Sequence, residues 1–251
     1  PAATSISVAL SQGGSIPPPA PPSLEVPDGN DGWRLAMPFM GFPGGKTKTI
    51  AVDLTPHLAA GDSRLRIRTT MEFYWDKIFF TVGEQAGEVL TTELPLVSAD
   101  LHERGYSRVV RDATNAPEQF LYDEVSTAPK WPPMAGRFTR LGDVRELLTA
   151  SDDKLLVMAA GDETTVRFAV PSDPPPAGWQ RDFLLFSVGW DKDANLQTVI
   201  GQSSEPLPFR AMGSYPWPPD EPVPDSAEYR DFLRTYQTRE SSPAYWRALA
   251  R

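Results

Sequence analysis

Residues 64–82 read RLRIRTTMEFYWDKIFFTV, and this stretch decides the fold class. Arg64, Arg66 and Arg68 alternate with Leu65 and Ile67, the period of a strand with one wet face and one buried face. The aromatic and β-branched run that follows, 72–82, reads as a second strand. The three arginines read first as a solvated face, with an anion site as the alternative.

Outward from this stretch the same texture continues. Short alternating or apolar runs bounded by Gly, Pro, Asp and Asn predict strands at 33–37, 49–54, 65–70, 72–82, 89–96, 155–158, 164–169 and 182–188. Strands this frequent, with few long helical patterns between them, predict a mainly β chain built as an antiparallel, jelly-roll-like β-sandwich. The segment 142–150 predicts a short helix with Val144, Leu147 and Leu148 inward.

The two ends differ in composition from the middle. Residues 1–30 predict an extended Pro-rich arm: Ile6, Val8 and Leu10 alternate as in an added edge strand, and Pro17-Pro18-Pro19-Ala20-Pro21-Pro22 makes a stiff spacer. Residues 31–215 form the sandwich, as one body or two smaller ones. Residues 216–251 form a Pro-rich linker and a short helical tail. In that tail Asp225 and Glu228 have the form of a capping box, and Tyr229, Phe232, Leu233 and Tyr236 fall at i, i+3, i+4 and i+7. Ser242-Pro243 starts a second helix carrying Tyr245, Trp246 and Leu249. Either end can pack on its own domain or dock into a partner. For docking the anchors are Ile6, Val8, Leu10, Trp217, Tyr229, Phe232, Tyr236 and Trp246, and removing 1–30 and 216–251 is then expected to leave a folded core.

The chain has 251 residues, 27 prolines, seven tryptophans, no cysteine and two histidines, His57 and His102. Without cysteine there are no disulfides and no thiolate metal sites. A net charge of −9 with no basic, aromatic-interleaved run repels phosphate backbones, so nucleic acid is not an expected partner. No apolar run approaches the roughly 20 residues that span a bilayer. Because the chain opens on Pro1, an upstream piece is expected to have been removed, with a cleaved signal, a lipid anchor or a membrane helix as the alternatives.

Few constellations carry chemistry. Trp-Asp-Lys occurs twice, at 75–77 and 190–192, in differing flanks. Asp191, Asp193 and Asn195 have the spacing of a calcium loop, but Leu196 and Gln202 stand where that loop needs Gly and Glu, so calcium competes with a plain polar turn. No other cofactor is expected. The pairs Asp152-Asp153 and Asp162-Glu163 are acidic enough for a hydrolase, although adjacent loop carboxylates usually shape turns. His102 lies in the richest polar segment, 101–108, as general base, ligand or hydrogen-bonded loop residue. The zincin, α/β-hydrolase and P-loop signatures are absent. Trp33, Trp131, Trp179 and Trp217 stand beside turn residues, where exposed rings would stack on sugars and buried ones would fill the core.

Residues 73–78, 100–107, 136–148, 178–183 and 205–209 together resemble a bacterial module. It is the C-terminal β-rich region of secreted or periplasmic multidomain proteins with FG-GAP/ASPIC-UnbV propeller and tetratricopeptide segments. The resemblance covers residues 33–217 and implies a periplasmic or extracellular location, soluble or peripheral to a membrane, with a non-enzymatic role in assembly. It transfers no catalytic residue. The leading expectation is therefore a non-catalytic structural subunit held in a larger protein assembly by its extensions. A carbohydrate-binding module using exposed tryptophans and a hydrolase using acidic loops are the alternatives.

Overall fold

A computed structural model describes residues 17, 19–41, 49–59, 61–71, 73–83, 87–113, 118–129, 133–190, 192 and 202–241. The chain falls into two compact units, Pro1–Glu84 and Gln85–Arg251. It is mainly β, with small antiparallel sheets and one α-helix among the described residues.

In the first unit β1 (Ser23–Pro27) is the middle strand of a three-stranded antiparallel sheet, between β2 (Trp33–Met37) and β3 (Arg66–Arg68). Its alternation is strict: Leu24 and Val26 are buried, while Glu25 faces outward and pairs with Arg66 and Arg68 on β3. Two of the three arginines read from the sequence as a cationic face thus share one carboxylate on the neighbouring strand, while Arg64 pairs with Asp62. Asp28 turns the chain from β1 into β2 by accepting the amides of Asn30 and Gly32 at 2.8 and 2.9 Å.

This sheet corrects the reading of residues 1–30 as an arm where they are described. Pro22 is fully buried, and Ala20 exchanges hydrogen bonds with Thr70. Ahead of β1, residues 20–22 run along the same sheet, with the Pro22 carbonyl accepting the Met40 amide at 2.8 Å. Ile6, Val8 and Leu10 lie outside the described residues.

The second unit is built on β4 (Leu96–Glu103), which lies between β8 (Gly142–Asp143) and β9 (Asp162–Phe168). A hairpin of β5 (Tyr106–Val110) and β6 (Gln119–Ser126) follows β4, and β7 (Gly136–Phe138) pairs with β10 (Arg239–Ser241). Helix α1 (Ala227–Tyr236) closes the core, in which Phe232 and Tyr236 meet Ala99, Leu101, Val144 and Leu147.

The helix begins one residue later than the sequence pattern gives. Ser226 is the N-cap, its hydroxyl accepting the Tyr229 amide at 3.0 Å, whereas Asp225 takes the Arg230 guanidinium at 2.7 Å. At the other end Gln237 is buried. Its side-chain amide donates to Thr139 Oγ1 at 3.1 Å and to the Leu155 carbonyl at 2.8 Å, locking the helix to the sheet. The helix predicted at 142–150 is a single 3-10 turn, Arg145–Leu148, with Val144 and Leu147 buried and Leu148 outside the core.

Several predicted strands are not strands. Residues 49–54, 155–158 and 182–188, and the described part of 72–82, lie in no sheet, and of 89–96 only Leu96 does. At 155–158 the reason is local: the Val157 amide donates to the Thr139 hydroxyl at 2.8 Å, so a side chain stands where a ladder partner would. Apolar alternation licenses a strand only where a second strand supplies the hydrogen bonds.

Candidate functional site

Strand β4 sorts its residues by parity. Ala99 and Leu101 point into the core, so Asp100 and His102 point the other way. The antiparallel register sets His102 opposite Glu163 on β9, which brings a histidine and a carboxylate 61 residues apart onto one outer face. Tyr122 on β6 and Arg104, just after β4, complete the cluster.

Every oxygen of Glu163 is engaged. Oε1 lies 3.3 Å from His102 Nε2, while Oε2 accepts the Tyr122 hydroxyl at 2.5 Å and lies 3.3 Å from Arg104 Nε. The Arg104 guanidinium also stacks 3.9 Å over the Tyr122 ring, donates to the Tyr122 carbonyl, and reaches Ser107 Oγ at 3.1 Å. On its other side His102 Nδ1 is closed off from solvent, 3.4 Å from Asp100 Oδ2, and makes no hydrogen bond.

These contacts push the acid and the phenol apart. The Tyr122 hydroxyl, then His102 and Arg104, hold the Glu163 carboxyl below the usual carboxylate range; the bond to Glu163 in turn pushes the Tyr122 phenol up. Glu163 is thus held ionised and Tyr122 protonated. Tyr122, Glu163 and Arg104 thereby tie β6, β9 and the end of β4 together. The cluster cannot chelate a metal, because the two carboxylates beside His102 approach opposite ring nitrogens. Among the described residues no group of three His, Cys, Asp or Glu could hold a metal.

The remaining acidic residues of the hydrolase alternative also carry structural contacts. Asp152 accepts the Lys154 amide at 2.9 Å and Asp153 the Arg210 amide at 2.7 Å. Asp162, on the inward face of β9, is almost fully buried against the Arg239 guanidinium of β10. The calcium triad Asp191, Asp193 and Asn195 lies outside the described residues, as do Trp131 and Trp246.

Among the docking anchors, Phe232 and Tyr236 face the core of their own unit, with Tyr229 packed partly against it. Trp217 donates its indole N–H to the Leu207 carbonyl at 3.2 Å and meets the edge of Phe209. Trp33 is covered by the Arg66 guanidinium, 4.1 Å from its ring centre. Sequence reasoning singled out His102 and Glu163 separately. Their juxtaposition, and the parts played by Tyr122 and Arg104, depend on strand register and have no local signal.

The surface carries a second feature that the sequence reading missed. Residues 183–190 (FLLFSVGW), most of which fall within the strand predicted at 182–188, stand exposed outside every sheet. Among the described residues no helix is long and apolar enough to cross a membrane. No family model, curated protein or solved structure matches the chain.

Proposed function

We propose that the protein is a non-catalytic interaction subunit of a larger assembly, of the β-sandwich type, with protein partners and with a location in the periplasm or outside the cell, free or peripheral to a membrane. One observation carries this reading: residues 183–190 present Leu184 and Phe186 at 100% and 88% exposure, with Phe183, Leu185 and Val188 also outward. A run of large apolar side chains on a folded surface marks a place where another surface sits. The Glu163 cluster, which ties three strands together through Tyr122, His102 and Arg104, is consistent with a structural role. The location is proposed from the sequence resemblance to the C-terminal module of FG-GAP/ASPIC-UnbV and tetratricopeptide proteins alone.

The test is gentle purification of the wild-type protein and of a Leu184→Glu variant from the native host, with identification of what is retained. A stoichiometric partner, of any identity, that is lost from the variant is the expected result. Equal retention by both proteins, or an intrinsic hydrolytic activity in the purified wild type, would overturn the proposal.

A further inference from the structure

We propose that His102 is a proton-operated latch: as an imidazolium it donates to Asp100 and Glu163 at once and clips β4 to β9, and on losing its proton it lets one of them go. The inference goes beyond the interaction reading and does not depend on it. Its ground is the placing of the two ring nitrogens. Nε2 lies 3.3 Å from Glu163 Oε1 across the β4–β9 register, and Nδ1 lies 3.4 Å from Asp100 Oδ2, two residues back on its own strand. Nδ1 is closed to solvent and makes no hydrogen bond.

A neutral imidazole has one N–H and one lone pair. With the hydrogen on Nε2, the Nδ1 lone pair faces a carboxylate oxygen of Asp100; with the hydrogen on Nδ1, the Nε2 lone pair faces Glu163. Each neutral tautomer therefore sets a lone pair against an anion. The imidazolium has a donor on each side and meets both charges with hydrogens. Both contacts are a few tenths of an ångström longer than a charge-assisted bond of about 2.7 to 2.9 Å, which leaves them room to tighten.

The surrounding charges favour the added proton. Outward with His102, strand parity places Asp100 on β4, Asp143 opposite it on β8, and Glu163 and Arg167 on β9. Glu103 and Asp162, the next register pair, take the other face, and Tyr122 of β6 and Arg104 complete the set. Arg104 repels an imidazolium, but it is engaged by Glu163 Oε2 and the Tyr122 ring and leaves Oε1 to the histidine. Arg167 stands opposite Ser98, four residues of strand from His102. At about 3.3 Å per residue that is about 13 Å, beyond the roughly 8 to 10 Å over which exposed charges act at ordinary salt. Three carboxylates thus outweigh one nearby guanidinium. Glu163 divides its oxygens between the brace to Tyr122 and Arg104 and the latch to His102.

The folded chain then holds this proton more tightly than the unfolded chain. Stability from the latch is present in full below the unfolded histidine value of about 6.5, is lost as pH rises above it, and is lost again where carboxylates protonate near about pH 4.

The experiment is thermal unfolding of the full chain at about pH 5.5 and about pH 8, beside His102→Gln, whose amide donates but carries no charge. The wild type is expected to exceed the variant in Tm by about 2 to 4 °C more at the lower pH than at the higher. The ring proton resonances of His102, followed by NMR through the same range, give a second readout. In a His57→Gln background it is the one histidine of the chain. Asp100→Asn removes one charge and offers the neutral ring an N–H, so it should lower the midpoint of that titration by about half a pH unit or more. A Tm gap that is equal or smaller at about pH 5.5, or a midpoint that Asp100→Asn leaves unchanged or raises, would overturn the latch. If His102→Gln does not fold, the Asp100→Asn titration decides alone. Neither result bears on what residues 183–190 bind.

Discussion

Truncation of Phe232 to alanine tests whether the terminal helix belongs to the core. Phe232 is 3% exposed and packs with Ala99, Leu101, Val144, Leu147 and Tyr236. A buried phenylalanine removes about 150 to 250 Å² from water, worth roughly 4 to 6 kcal/mol at about 25 cal/mol per Å². Alanine keeps part of that, and the cavity it leaves is only partly filled by collapse, so Phe232→Ala should destabilise the second unit by about 3 to 5 kcal/mol. Against total stabilities of about 5 to 15 kcal/mol this is a large fraction. Urea unfolding followed by far-UV circular dichroism measures it, with Phe120→Ala on exposed β6 as the control, expected to cost less than about 1 kcal/mol. A loss for Phe232→Ala below about 1 kcal/mol would mean that the helix does not pack on Leu101 and Val144, and the core described here would be wrong. The same packing predicts that a chain ending at residue 215 loses the fold of its second unit, against the expectation that a core survives without its tail.

Other perturbations reach other links. Glu163 has a depressed folded-state pKa, so its ionised form contributes stability that is present above its unfolded value and is lost as pH falls through the folded one. The wild type should melt above Glu163→Gln at neutral pH, with the gap closing below about pH 4.3; a gap that persists to strongly acid pH would refute the brace. Ser226→Ala should cost about 1 kcal/mol as a lost N-cap, whereas Asp225→Ala should cost less than about 0.5 kcal/mol as a lost exposed pair, and chemical unfolding that reverses this order would restore Asp225 as the cap. Gly136 has φ of 108°, and a Cβ there would lie 2.3 Å from Ser204 Oγ. Gly136→Ala should therefore cost at least about 1 to 3 kcal/mol from backbone strain alone, and a neutral effect in a thermal melt would contradict the placement of β7 beside Ser204.

What the sequence made legible follows the range of the forces involved. The helix at 227–236 was readable because its periodicity and its cap are local. So were β2, β3 and most of β9. Strand β4 was missed although it is the centre of the second unit: Ser98, Asp100 and His102 give its outer face a polar texture that resembles a loop. Its identity as a strand depends on β9, more than 55 residues further on, and the His102–Glu163 contact inherits that dependence. The capping box failed by one residue because Asp and Ser adjoin, and only geometry says which hydroxyl or carboxylate reaches the third amide. The reading of residues 1–30 as an arm failed where Glu25 meets two arginines that lie beyond the first β-turn, again a pairing that composition does not encode.

The run at 183–190 is the instructive error. A short apolar run bounded by turn residues is the ground for predicting a strand at 182–188. The physical content of the pattern is only that water is a poor solvent for these side chains; it does not state which surface replaces the water. In a chain whose Leu101, Val144 and Phe232 already close a core, Leu184 and Phe186 remain uncovered. Natural edge strands are protected by charge, proline or a bulge; residues 183–190, which lie in no sheet, contain neither charge nor proline. Contacts at Arg181 and Trp190 fix the two ends of this run.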